Sequence, residues 1–321
     1  MPLVILTEPI NGVGFFSPRR FLEITKKYIR NFLGRSRGPQ AVTNSLLAGL
    51  KEMEINYVLN PESKNIKDGA VVYVNESAEA LRDAIDIKKK GRISKIIAGP
   101  IIAVLPNEKN GIMLDVNIDL LPFPSAWTKD FWVAQAPQLA AKIKIWPAGV
   151  GSDCDLSQTR DLVLVYYKSG PKKQLNYIIN FLKSKNIPYE AVRYGHYRKE
   201  DYFGLLARAK SLIYLSESES QGLALGEAWM HNVPTLVWNR GYWEYCGYKW
   251  FDGKISAPYL TAECGLFFAG EEDFSAKWRD FTGNLSLYKP RDYALTNFTN
   301  TLAAKRFIDL IKVCCPDFSF I

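Results

Sequence analysis

Two carboxylates, Glu219 and Glu227, stand with seven residues between them in the run LIYLSESESQGLALGEAWMHNVPTLVWN, Leu212 to Asn239. Between them the backbone amides of Gln221, Gly222 and Leu223 would open a helix, and a helix N-terminus favours a phosphate or another anion. A carboxylate on each side of an anion site suggests groups that grip hydroxyls rather than phosphates.

The elements that must position these residues are legible around them. Leu212–Leu215 is apolar throughout, as a strand buried on both faces of a parallel sheet should be. A helix is expected from near Gly222 to near His231, stopped by Asn232, Val233 and Pro234, with Thr235–Trp238 as the next strand. Glu227 then lies about a turn and a half into the helix, so both carboxylates can face the crevice at the carboxyl end of the strand.

At these residues the sequence resembles a family. Ser216-x-x-Glu219-x-x-Gly222-Leu223-x-x-x-Glu227-Ala228, followed by Val233-Pro234, resembles the E-x7-E signature of retaining glycosyltransferases with the GT-B fold, the group-1 glycosyl transferases that include glycogen synthases, sucrose synthases and lipid-linked mannosyltransferases. Pro124–Asp130 and Ile145–Val150 resemble the family's last N-domain turn and its linker, and Thr261–Phe268 a later strand, so the likeness runs from about Ser125 to the C-terminus. It implies an α/β chain with two Rossmann-like domains facing across a cleft. These would be a small acceptor-side domain over 1–146, a nucleotide-sugar domain over 147–288, and a C-terminal helix within 289–321 that crosses back.

The resemblance also implies roles. Lys168 with Lys172 or Lys173 stands where the family clasps the donor diphosphate, although the family's arginine is absent here. Glu219 would position the sugar and, with Lys168 and Lys173, form the catalytic set. Ser220, Gln221, Gly222, Leu223, Glu227, His196 and Lys172 would bind the donor, a UDP- or GDP-sugar, with Glu227 on the ribose. Gly38, Pro39 and Gln40, opening the first strong helix, would lie on the acceptor side, toward a glycan or lipid-linked acceptor. No cofactor or metal is implied: Asp153-Cys154-Asp155 matches a cation-binding D-x-D, but it lies in a linker without a preceding buried strand and reads as chance. A sugar-nucleotide or glycan-binding protein without activity, and a phosphorylase or epimerase on the same fold, remain alternatives.

Composition bounds the rest. A chain of 321 residues with 47% apolar residues supports two globular domains. The five cysteines are odd in number and lack metal-ligand spacing, which fits a reducing cytoplasm, and the N-terminus lacks the basic stretch of a secretory leader. A net charge of +8 favours anionic partners, yet the basic residues are spread out and no nucleic-acid module is evident. The basic segment Arg19–Arg37 has apolar residues at helical spacing, which allows a peripheral membrane contact as well as an ordinary surface helix. In the first 105 residues, strands are expected at Leu3–Thr7, Ile55–Leu59, Ala70–Val74, Lys95–Ala98 and Ile101–Leu105, with a helix capped by Ser77.

Overall fold

The computed structural model describes residues 2–10, 38–100, 102–154 and 156–318. The basic segment Arg19–Arg37 and Asp155 lie outside these residues. The chain divides into two compact units: one contains β1 (Leu3–Leu6), Gly38–Gly149 and the chain from Asn300 onward, and the other is Val150–Thr299.

In the first unit β1 is followed by α1 (Gly38–Glu52), β2 (Val58–Leu59), β3 (Ala70–Val74), α2 (Ala78–Lys89) and β4 (Ile93–Ala98). The strands form a parallel sheet in the order β2-β1-β3-β4. Ser77 caps α2 by accepting a bond from the Ala80 amide at 3.1 Å, and Glu79 and Lys88–Lys89 sit at the ends the helix dipole favours. The expected strand over Ile101–Leu105 does not form across 102–105. Pro100 and Pro106 withhold ladder donors on either side, and Ile102 and Leu105 are buried by packing, without strand pairing. Farther on, β5 (Leu121–Phe123), α3 (Ala126–Gln135) and β6 (Ile143–Ile145) complete the layer.

The second unit runs β7 (Leu162–Tyr167), α4 (Lys172–Ser184), β8 (Tyr189–Arg193), α5 (Lys199–Arg208), β9 (Ala209–Leu215), α6 (Leu223–Met230) and β10 (Thr235–Trp238). A hairpin of β11 (Tyr242–Tyr245) and β12 (Tyr248–Phe251) precedes β13 (Gly265–Phe268), α7 (Glu271–Gly283) and α8 (Pro290–Asn297). Its parallel sheet has the order β13-β10-β9-β7-β8. Alternate residues of each strand feed opposite layers. Leu162, Leu164 and Tyr166 pack with Tyr202 of α5 and Leu225 and Trp229 of α6, while Val163 and Val165 pack with Ile178 of α4 and Phe274 and Trp278 of α7. A sheet covered on both faces explains the apolar run at Leu212–Leu215.

The last helix, α9 (Asn300–Cys314), belongs to the first unit and packs on α1. A Cβ at Gly49 would stand 2.1 Å from the Asn300 carbonyl oxygen, so the two helices approach at backbone distance. Trp146 seals the contact: its indole N–H donates to the Ala303 carbonyl at 2.9 Å, and its ring meets Phe307 and Tyr73. Among the described residues no helix is long and apolar enough to cross a membrane.

Candidate active site

The second sheet places β7 at its topological switch point, because the chain goes outward from β7 to β8 and then returns to the other side at β9. At such a point the loops leaving the two central strands diverge and open a crevice at their carboxyl ends. Lys168 is the residue after β7, and Glu219 lies four residues past the end of β9. Topology alone therefore brings them together from 51 residues apart in sequence.

Their contact is intimate. Lys168 Nζ donates to Oε1 and Oε2 of Glu219 at 2.9 and 2.8 Å. The carboxylate is only 5% exposed and the lysine side chain 31%. Burial pulls the ammonium pKa down, but the charge and hydrogen bonds of Glu219 outweigh it and hold Lys168 above its ordinary value. Tyr214, in β9, donates its hydroxyl to Glu219 Oε1 at 2.6 Å. Burial first and the Glu219 charge second hold this phenol well above the ordinary tyrosine value, so it remains a donor. The Glu219 amide donates to the Ile255 carbonyl at 2.8 Å, which fixes the loop itself.

Three residues later the chain enters α6. Gly222 takes φ +87° at the N-cap, a left-handed conformation that costs any residue with a Cβ. Of the first-turn amides, that of Leu225 bonds the Gly222 carbonyl at 3.0 Å, and those of Leu223 and Ala224 have no carbonyl within the helix to bond. The opposite end of α6 is saturated: Arg160 donates to the carbonyls of His231 and Asn232, Arg291 to that of Met230, and the His231 Nδ1–H to that of Glu227 at 2.8 Å. With its C-terminal carbonyls neutralised by two guanidinium groups, the uncompensated end of the helix is the one beside Glu219. The Tyr202 hydroxyl donates to the Ala224 carbonyl at 2.9 Å and ties α5 to this first turn.

Glu227 projects from α6 with its side chain 16% exposed, and Lys199 Nζ stands 3.2 Å from its Oε1. Burial pushes this carboxyl up from its ordinary value, and Lys199 opposes the shift without cancelling it. Among the described residues no cluster of three or more His, Cys, Asp or Glu could hold a metal ion.

The remaining expected residues fall at varied distances from this centre. Ser220 is exposed, Gln221 buried and Leu223 half-buried along the entry to α6. Lys172 and Lys173 open α4 and are exposed; Lys173, at 83% exposure, pairs with Glu271 at the start of α7, 3.4 Å away. His196 lies exposed in the turn after β8. In the first unit, Gly38, Pro39 and Gln40 form the first turn of α1. There the buried Asn75, just past β3, donates to Thr43 Oγ1 at 3.0 Å, and Thr43 donates to Glu76 at 2.8 Å.

Sequence reasoning missed Tyr214, Lys199 and the two arginines behind α6. A tyrosine inside a buried apolar strand needs a partner for its hydroxyl, and that signal was present in LIYL. Lys199 opens a helix, where a cation opposes the dipole unless a carboxylate holds it.

No family model matches the chain, and no curated protein matches its sequence. Solved structures share its fold. The lipopolysaccharide outer core galactosyltransferase WaaB, in its apo form, matches with a TM-score of 0.56 at 14% identity, covering 98% of this chain and 99% of that one. Sucrose-phosphate synthase from Thermosynechococcus elongatus matches with a TM-score of 0.54 at 8% identity, over 98% of this chain and 99% of that one. The pneumococcal O-GlcNAc transferase GtfA in complex with UDP and GlcNAc gives 0.51 at 12% identity, over 79% of this chain and 58% of that one. At these identities the likeness speaks for architecture, and the chain has the α/β GT-B fold that these transferases share.

Proposed function

We propose that this protein is a retaining glycosyltransferase that moves a sugar from a nucleotide diphosphate donor to a hydroxyl acceptor. One observation carries the reading: Lys168, Glu219 and the N-terminus of α6 lie together at the switch point of the second sheet. A cation and a helix N-terminus suit a diphosphate, and a buried, fixed carboxylate beside them suits sugar hydroxyls. The transferases among the solved structures support it, as does the UDP and GlcNAc named for one of them.

In this reading the α6 amides and Lys168 hold the diphosphate. An ammonium has three N–H donors; two serve Glu219, and the third remains for an oxygen of the diphosphate. Lys168 takes this part ahead of Lys173, which is solvated and paired with Glu271. Glu227 accepts from the ribose hydroxyls, and Glu219 orients the sugar. As the bond from the anomeric carbon to the diphosphate breaks, negative charge grows on the leaving oxygen and positive charge on the sugar ring. The preformed field of Lys168 and the helix N-terminus stabilises the first without reorganising. These groups supply the positive charge from the chain itself, so turnover is expected to survive a chelator.

A thermal-shift screen against UDP- and GDP-sugars tests the reading. A donor at a hundred times its dissociation constant stabilises by about 2.7 kcal/mol. Glu227→Ala should weaken nucleotide binding, and Glu219→Ala should lower turnover more than affinity. A screen in which no nucleotide-sugar shifts the melting temperature of the native protein contradicts it.

A further inference from the structure

Resting on that reading, we infer that Tyr214 is a positioning residue, which keeps the Glu219 carboxylate aimed at the sugar while Lys168 is drawn toward the departing diphosphate. Glu219 Oε1 receives two donors of different kinds, the Lys168 ammonium at 2.9 Å and the Tyr214 hydroxyl at 2.6 Å. The ammonium sits on four flexible carbons and carries charge, so it responds to any anion placed beside it. The phenol does not. Its ring is 1% exposed within β9, stacked on Tyr166 at 4.9 Å with planes 14° apart, and its neutral hydroxyl feels no comparable pull.

Charge on the diphosphate is greatest as the glycosidic bond breaks, which is when Lys168 bonds it most strongly and Glu219 least. The Tyr214 hydroxyl does not follow the diphosphate, so it keeps its bond to Oε1 at that moment while the ammonium shifts its own. Tyr214 never touches substrate and acts through Glu219 alone.

The test is Tyr214→Phe in the whole protein, with turnover of a nucleotide-sugar panel (UDP-glucose, UDP-galactose, UDP-N-acetylglucosamine, GDP-mannose) and calorimetric titration of UDP and GDP. Loss of a hydrogen bond to a charged group predicts a kcat lower by about tenfold or more, with nucleoside diphosphate affinity within about twofold of wild type. In a Glu219→Gln background the same change should cost nothing further, because its route of action is gone. Tyr166→Phe, which removes the neighbouring hydroxyl bonded to Tyr197 at 2.6 Å, controls for disturbance of the ring stack and should leave kcat unchanged. If Tyr214→Phe retains wild-type kcat, or lowers kcat equally in the Glu219→Gln background, the positioning role is overturned while the transferase reading stands. If the wild-type protein neither binds nor turns over any member of the panel, the transferase reading fails and takes the positioning role with it.

Discussion

Replacing Lys168 by methionine keeps most of the side chain's bulk and removes only the charge and its donors. Glu219 then remains at 5% exposure with two bonds lost and the Tyr214 hydroxyl still in place. Removing one partner of a fully buried pair costs about 3–5 kcal/mol, whereas exposed pairs are worth about 0–1 kcal/mol. Lys168 is 31% exposed, so water repays part of the loss, and a cost of about 2 kcal/mol is expected. For a cooperative unit of the size of the second one, each kcal/mol lowers the melting temperature by about 2–4 °C, giving a fall of about 4–8 °C in its transition. The double variant Lys168→Met with Glu219→Gln removes the stranded charge and should recover most of that fall. Turnover behaves differently. Losing a preorganised charge at the leaving group costs about 100- to 1,000-fold, and the double variant recovers none of it. Scanning calorimetry and a nucleoside diphosphate release assay read the two quantities separately. A double variant no more stable than the single one, or a Lys168→Met enzyme within about threefold of wild type, would refute the reasoning.

Other expectations follow from the same geometry. The folded protein holds the Glu227 proton more tightly than the unfolded chain does, because burial raises that carboxyl above its ordinary value of 4.5. The ionised carboxylate is therefore a cost that is absent below the ordinary value and complete above the raised one, so Glu227→Gln should raise the melting temperature at neutral pH, with the gain vanishing as the pH is lowered past 4.5. Gly222→Ala places a Cβ on a residue at φ +87° and 3.1 Å from Leu225 Cδ1; it should cost about 1–2 kcal/mol by denaturant melts and weaken nucleoside diphosphate binding, since the α6 amides must turn. Gly49→Ala drives a methyl into the Asn300 carbonyl and should destabilise the first unit by about 1–3 kcal/mol, seen as faster amide exchange in α1 and α9.

Much of the second unit was legible because its signals are local. The apolar run at Leu212–Leu215 marked the end of β9, which starts three residues earlier at Ala209, and the stop at Val233-Pro234 marked the helix end within a residue or so. The placement of Glu219 beyond the carboxyl end of β9 was legible for the same reason: a polar turn after a buried strand has few places to point. Lys173 shows the limit. Charge and proximity to β7 favoured it as much as Lys168, but it enters α4 one residue after Lys172, and the helix turns its side chain to Glu271. That direction depends on α7, nearly a hundred residues on, and no local pattern reports it. Ile101–Leu105 failed in the opposite sense: hydrophobicity recorded burial of Ile102 and Leu105 correctly but says nothing of ladder pairing. Tyr214 was visible as a residue and hidden as a partner, because its bond to Glu219 forms only when the loop after β9 folds back.

The most direct measurement is release of nucleoside diphosphate from a UDP- or GDP-sugar, with the anomeric configuration of the transferred or hydrolysed sugar followed by proton NMR. The account predicts turnover by the native protein with the α-configuration of the donor retained, persisting in a chelator and falling by about 100-fold or more in Lys168→Met. Product of inverted configuration, or release that is indifferent to the loss of Lys168 and Glu219, would contradict it.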